Sequence, residues 1–176
     1  MATTETVVPV EQYPRENGII FRDFIAAVSD SSIPLFQVER DTIIDSIDIA
    51  IEAGIDTDGT PAAVYVHVRS LDDGEASSAA VADTPLVGRQ ITSATSPARI
   101  AGSSGTIAAD TVASLPLVGE IDQSTTDGAL SRRVQAGQRV ALFFTTTEDP
   151  QNASAALQTM TLVNVTITVR GRTAQA

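Results

Sequence analysis

Residues 157–170 read LQTMTLVNVTITVR, a run rich in β-branched side chains near the end of the sequence. Val163, Val165, Ile167 and Val169 alternate with polar residues, which is the period of two expected of a half-buried antiparallel strand. Fourteen residues at roughly 3.3 Å each would extend for roughly 46 Å, well beyond an average strand. Such a strand needs long partners, so the run favours a sandwich or a barrel.

Residues 35–53 show a second strand pattern with an interruption. Four isoleucines fall on one face, and Asp45 breaks that face: Ile43, Ile47, Ile49 and Ile51. An acid in an apolar row predicts a bulge or bend nearby, or a division of the segment into two strands.

Residues 64–69 alternate more regularly. They place Val64, Val66 and Val68 inward and Tyr65, His67 and Arg69 outward. We expect this strand to form a hairpin with residues 35–53 through a long loop.

Residues 130–134 and 139–144 predict a second hairpin around the turn at 135–138, where Gly137 can adopt a positive φ at little cost. Pro85-Leu86-Val87-Gly88 recurs as Pro116-Leu117-Val118-Gly119, which predicts two short strands entered through proline.

The first 28 residues leave one alternative open. Residues 1–18 contain Pro9, Pro14 and a turn signal, so they predict an extended N-terminal arm. Residues 19–28 fit a helix, with apolar side chains at i, i+3, i+4 and i+7, and they also fit a strand. Residues 19–176 then form one all-β domain, an antiparallel sandwich or jelly roll of about eight strands.

Composition excludes much of catalytic chemistry. Cysteine, lysine and tryptophan are absent and His67 is the single histidine. Disulfide frameworks, thiolate metal sites, Schiff-base lysines and the P-loop lysine are therefore excluded. We expect no enzyme, no cofactor and no metal, and we expect His67 to be a surface or interface residue.

Acid–glycine turns at 56–59 and 72–75 fail the EF-hand pattern at both ends of the loop. Calcium binding at these turns nevertheless stays open.

The net charge is −11, with twenty-two acids against eleven arginines. Residues 1–83 carry a net charge of −12, whereas residues 84–176 carry +1. An acidic chain repels phosphate, so we expect neither a nucleic-acid partner nor an anionic membrane. The start of the sequence lacks a basic region followed by an apolar core, so we expect no signal peptide.

The uneven charge has two interpretations. The first half forms a solvated acidic face, or else arginines of the second half meet acids of a neighbouring copy and orient it. The arginines in question are Arg132, Arg133, Arg139, Arg170 and Arg172.

The overall pattern resembles the capsid decoration, or cement, proteins of tailed bacteriophages. The resemblance covers roughly residues 19–171, has no diagnostic motif, and rests on residues 38–46 (VERDTIIDS), residues 135–142 (QAGQRVAL), the proline-broken arm and the β-branched end. It implies a jelly-roll-like fold, a homotrimer and a place on the capsid exterior of a virion assembled in the host cytoplasm. The implied partner is the major capsid protein.

We expect four side chains of the arm to contact a partner: Val7, Val8, Val10 and Tyr13. Arg132, Arg133 and Arg139 are further candidate contacts. A tail or fibre-associated module shares the expected fold, and a cupin-like or glycan-active enzyme is the catalytic alternative.

Overall fold

The computed structural model describes residues 6–7, 18–28, 32–51, 65–72, 88–93, 98–99, 111–119, 121, 130–145 and 162–174. These residues form eleven strands: β1 (Thr6–Val7), β2 (Gly18–Val28), β3 (Ser32–Gln37), β4 (Thr42–Ile51), β5 (Tyr65–Leu71), β6 (Arg89–Gln90), β7 (Ala98–Arg99), β8 (Thr111–Ser114), β9 (Arg133–Val134), β10 (Arg139–Thr145) and β11 (Leu162–Thr173). The described part of the chain contains no helix long and apolar enough to cross a membrane.

The strands form two sheets. Sheet A has the order β1-β3-β10-β5-β6, with β7 also pairing with β5. Sheet B has the order β2-β11-β4-β8, with β9 also pairing with β4. The orders β3-β10-β5-β6 and β2-β11-β4-β8, with the chain passing repeatedly between the sheets, are those of an eight-stranded jelly roll. The predicted all-β sandwich is confirmed.

The core lies between the two sheets, and β11 is at the middle of sheet B, paired on one side with β2 and on the other with β4. Val165, Ile167 and Val169 are fully buried, as the alternation predicts. Across the core, the rings of Phe21 and Phe36 stack with centroids 4.7 Å apart. The described strand begins at Leu162 and continues to Thr173, because backbone pairing with β4 persists past the apolar run.

The predicted irregularity at Asp45 is a β-bulge. Arg170 pairs with Ser46 and Gly171 with Ile44, so Asp45 is an extra residue in β4. One extra residue reverses the alternation of side chains before it. Ile44 is therefore buried in the core and Ile43 is half-buried on the opposite face, so the prediction that Ile43 shares a face with Ile47 and Ile49 is wrong.

Residues 18–28 form a strand, which settles the alternative between helix and strand. β2 pairs with β11 through nine register pairs, and this tertiary context overrides the helical spacing. The segment at 35–53 is also divided, but at residues 38–41 and not at Asp45: β3 belongs to sheet A and β4, which runs through Asp45, belongs to sheet B.

Both predicted hairpins are wrong. β4 and β5 lie in different sheets, and β5 pairs with β10 instead. β9 pairs with β4 while β10 pairs with β3 and β5, so the turn between β9 and β10 carries the chain from one sheet to the other. The turn itself is as predicted: Gly137 has a φ of 88° and the Gln138 amide donates to the Gln135 carbonyl at 3.0 Å.

The segment that follows the first Pro-Leu-Val-Gly copy forms backbone hydrogen bonds with the second copy. Thr92, just after the first copy, forms an antiparallel bridge with Leu117 in the second. The Val118 amide donates to the Ile91 carbonyl at 2.9 Å, and the Ser93 amide donates to the Pro116 carbonyl at 2.7 Å. β6 follows the first copy as predicted, whereas residues 115–119 of the second make a bridge and not a strand.

Gly171 lies where the bulges of β2 and β4 flank β11. A Cβ atom at Gly171 would stand 2.6 Å from the Ile43 carbonyl oxygen, a main-chain atom that cannot rotate away. We expect Gly171→Ala to lower the free energy of unfolding by about 2 kcal/mol, the usual cost of overpacking. Urea unfolding followed by circular dichroism measures this. Gly119→Ala is the matched control because a Cβ there meets no atom within 4 Å, and equal stability of the two variants contradicts the prediction.

Candidate functional site

The outer face of sheet B carries a set of charged and polar side chains, which we call the charged face: Asp45, Asp48, Ser114, Arg170 and Arg172. Nη1 of Arg170 lies 2.6 Å from Oδ2 of Asp48, and the Ser114 hydroxyl donates to Oδ1 of the same carboxylate at 2.6 Å. Arg172 pairs with Asp45 at the bulge. The charged face thus joins β4, β8 and β11 through side chains.

The Arg170–Asp48 pair is partly open to solvent, whereas the Asp45 carboxylate of the second pair is only 9% exposed. The side chains of Arg170 and Asp48 are 38% and 32% exposed, and exposed pairs typically contribute about 0–1 kcal/mol. Their main effect is to orient the side chains and to balance charge locally. Val112, 73% exposed on β8, borders this face.

In one of the two interpretations of the uneven charge, arginines 132, 133, 139, 170 and 172 meet acids of a neighbouring copy. Three of them, Arg133, Arg170 and Arg172, form ion pairs with acids of their own chain. Contact with a second copy therefore stays a prediction. For these three arginines, an acid of the second copy would have to share the guanidinium with the acid of the same chain or displace that acid.

Asp41 joins the two sheets at the end of the sandwich where the chain turns at 135–138. Its Oδ2 accepts from Arg133 Nη2 at 2.7 Å and Nε at 3.2 Å, and its Oδ1 accepts from the Ala136 amide at 3.0 Å. Its backbone carbonyl accepts from the Ala174 amide at 2.8 Å. One residue thus holds the turn before β10, the strand β9 and the end of β11.

More hydrogen bonds reinforce this end of the sandwich. The Val38 amide donates to the Gln138 carbonyl at 3.0 Å, and the Gly137 amide donates to the Val38 carbonyl at 2.8 Å. Gln37 Nε2 donates to the Gly137 carbonyl at 2.8 Å, while Gln138 Nε2 donates to Oδ1 of Asp72 at 2.6 Å. Asp72, from the second acid–glycine turn, therefore has a structural role.

The predicted contact residues fall into two groups. Val7 lies in β1, whereas Val8, Val10 and Tyr13 lie outside the described residues. Val7 and Arg139 are both in register with Gln37, so β1 and β10 flank the same residue of β3.

The three candidate arginines lie close together along the chain, around the turn at 135–138. Arg133 is held by Asp41, and Arg139 is half-buried in β10. Arg132 is half-buried, and its backbone carbonyl accepts from the Ile44 amide at 2.9 Å. Its Nε has no hydrogen-bond partner in the described ranges.

The middle of the outer face of sheet A is buried, which the sequence did not predict. His67 is 0% exposed and Arg69 is 1% exposed, although both point away from the core between the sheets. Leu71, Ala141 and Phe143 form a second apolar cluster on the same face. The two side chains lie on the outward face of β5 as predicted, but the expectation that His67 is a surface or interface residue is wrong, because the chain itself buries it.

The buried guanidinium of Arg69 is satisfied by polar groups of the neighbouring segment. Its Nη2 donates to the Gly88 carbonyl at 2.6 Å and its Nη1 donates to Oε1 of Gln90 at 3.4 Å. A buried charge needs such partners because desolvation otherwise costs several kcal/mol. The continuous apolar run VALFF at 140–144 was the available signal, since it is typical of a strand covered on both faces.

No group of three or more His, Cys, Asp or Glu side chains suited to a metal ion occurs within the described ranges. The His67 ring is buried, whereas the Asp72 carboxylate is exposed and accepts a hydrogen bond from Gln138. The arrangement that the structure does provide is an exterior of oriented charges, with an added strand at the edge of sheet A.

Asp41 gives a pH dependence to stability. The Ala136 amide and then the Arg133 side chain hold the pKa of Asp41 below its ordinary value of 3.8. A carboxyl group whose pKa is lower in the folded state stabilises the fold above its unfolded pKa, and this stabilisation is lost as the pH falls through the folded pKa.

We expect Asp41→Asn to lower the free energy of unfolding by roughly 1 kcal/mol at neutral pH, the net value of a partly exposed charge-assisted hydrogen bond. The difference from the parent should shrink as the pH is lowered from 3.8. Urea unfolding over a pH series measures both effects. A double-mutant cycle with Arg133→Gln isolates the pair, and a difference that is constant with pH contradicts the assignment.

Comparison with known proteins returned no matching family model, no similar curated protein and no similar solved structure.

Proposed function

We propose that this chain is a structural virion protein that binds the outside of an icosahedral phage capsid. In this proposal it binds the major capsid protein as a homotrimer and bridges neighbouring capsid subunits. The observation that carries the proposal is β1, a strand of the N-terminal arm that lies outside the eight strands of the jelly roll and adds to the edge of sheet A.

An added strand supports a contact function for a physical reason. Pairing at a sheet edge uses main-chain hydrogen bonds, so an extended arm can bind a neighbouring surface without a preformed pocket. When several copies bind as one oligomer, each arm after the first binds at a high effective concentration, so weak single contacts give strong overall binding. The candidate contacts Val7, Val8, Val10 and Tyr13 all belong to this arm.

The charge of the molecule also fits an exterior position. A net charge of −11 keeps a densely arrayed protein soluble and repels packaged nucleic acid. On the charged face, arginines and acids neutralise one another in pairs, so the described part of sheet B offers a locally balanced surface to a neighbour. The jelly roll itself hosts many functions and does not by itself favour this one.

Imaging of virions of the phage that encodes this chain tests the proposal. We expect a trimeric feature on the outer surface of the shell, at symmetry or pseudo-symmetry axes. Density at the tail or fibre instead would support the tail-associated alternative and overturn the capsid role. Light scattering after size exclusion should show a trimer of the 18.3 kDa chain, and a monomer would contradict that part.

Deleting residues 1–17 tests the arm. Because the described core contains no residue before Ile20, we expect the truncated chain to keep a cooperative unfolding transition and to lose binding to capsids that lack the protein. Co-sedimentation with such particles measures binding. Gly119→Ala is the control, since Gly119 is exposed and a Cβ there meets no atom within 4 Å, and this variant should leave binding intact. Unchanged binding of the truncated chain would show that the arm does not contact the capsid.

A further inference from the structure

β2 lies at the edge of sheet B. In the described part of the chain it pairs with β11 on one side and with no strand on the other. The backbone amides and carbonyls along a sheet edge are a template on which another extended chain can add. Natural proteins protect such edges with charges, with bulges or with charged side chains that point inward.

Asp23 occupies a core-facing position of β2 and is nevertheless exposed. It is in register with Ile167, which is fully buried, and residues opposite each other on paired strands share a face of the sheet. The preceding core-facing residue, Phe21, is buried and stacks on Phe36. An apolar side chain at position 23 would extend this core, whereas a carboxylate places an inward-pointing charge at the edge.

Arg22 places a second charge on the other face of the same strand. It is exposed and in register with Thr168, so it lies on the outer face of sheet B. Ile20 is the extra residue where the register with β11 shifts between Val169 and Arg170. A bulge bends and twists the edge beside it. β2 therefore combines a bulge with charges on both of its faces.

Two copies of β2 cannot neutralise these charges by pairing with each other. In any pairing that continues sheet B with both cores on the same side, opposite residues share a face. Arg22 lies on the outer face and Asp23 on the core-facing side, so Arg22 of one copy never lies opposite Asp23 of the other. Each charge meets its own kind or an uncharged residue, because β2 contains no other charged side chain. Like charges directly opposite each other destabilise a strand pair.

The strand that faces β2 across the core has edge protection of a different kind. β3 contains Pro34, which has no amide hydrogen, and Leu35 is an extra residue in its register with β10. Beyond this irregularity, β1 pairs with β3 at Phe36 and Gln37. On this side of the sandwich, the described structure thus shows an added strand at β3 and charges at β2.

We propose that Arg22 and Asp23 guard the edge of sheet B and prevent a second copy of this chain from adding to β2. The guard acts through charge on both faces of the strand, so that neither side of an extended sheet can close over it. This device is independent of capsid binding, and it leaves the N-terminal arm as the element available for contacts.

The double variant Arg22→Thr with Asp23→Ile tests the guard because it removes both charges. Isoleucine continues the core-facing row beside Phe21, and threonine matches Thr168 on the outer face. We expect the variant to stay folded and to reach twice the particle mass of the parent protein at high concentration, through pairing of two β2 edges. Sedimentation velocity over a concentration series measures the mass. A mass equal to that of the parent at every concentration overturns the proposal.

Hydrogen exchange locates the new contact. Edge amides of β2 become protected when they pair, so the associated variant should exchange more slowly in peptides covering residues 18–28. Doubled mass without this protection places the contact elsewhere and also overturns the proposal.

Two control variants separate the guard from a general effect of composition. Arg22→Glu with Asp23→Lys exchanges the charges and keeps both faces charged, so it should behave as the parent does. Glu39→Ile with Arg40→Thr makes the same replacements at exposed residues between β3 and β4, again with no change in net charge. Association of either control to the extent of the test variant overturns the proposal.

Discussion

The fold depends on the burial of one face of β11. Val165, Ile167 and Val169 are enclosed by the neighbouring strands and by sheet A, and each contributes about 1.5–3 kcal/mol by leaving water. The strand can hold this position because both neighbours adapt to it. β2 and β4 each insert one extra residue beside Arg170, and Gly171 provides the space for the carbonyl of Ile43. The register of β11, the two bulges beside it and Gly171 therefore depend on one another.

The second requirement is a firm connection between the sheets where strands cross from one to the other. Asp41 meets it by accepting hydrogen bonds from Arg133 and from the backbone of the turn at 135–138. Gln37 and Gln138 add side-chain bonds at the same place. Because the arm strand β1 pairs beside Gln37, its docking position is next to this hydrogen-bonded corner.

The two outer faces of the sandwich have different characters, and this bears on function. On sheet A the outward residues His67 and Arg69 are covered, so that face contributes to stability. On sheet B the outward residues form oriented ion pairs that solvent reaches. A protein that acts by contact would use the exposed face of sheet B and the N-terminal arm, and the proposed capsid role assigns its contacts to the arm.

Local sequence determined the strands, the turn at Gly137 and the bulge at Asp45, because alternation, turn chemistry and a misplaced charge each act over a few residues. It could not determine which strands pair. Both expected hairpins were wrong because strands adjacent in sequence lie in opposite sheets, and the choice between helix and strand for residues 18–28 was made by β11.

The candidate site shows the same division. Sequence placed His67 and Arg69 on the outward face of β5, yet their burial depends on segments distant in the chain. The pairing of Arg133, Arg170 and Arg172 with Asp41, Asp48 and Asp45 likewise joins residues about a hundred positions apart. Composition and periodicity decided the class of fold, whereas pairing and burial were decided by tertiary structure, because these are relations between residues that local patterns do not contain.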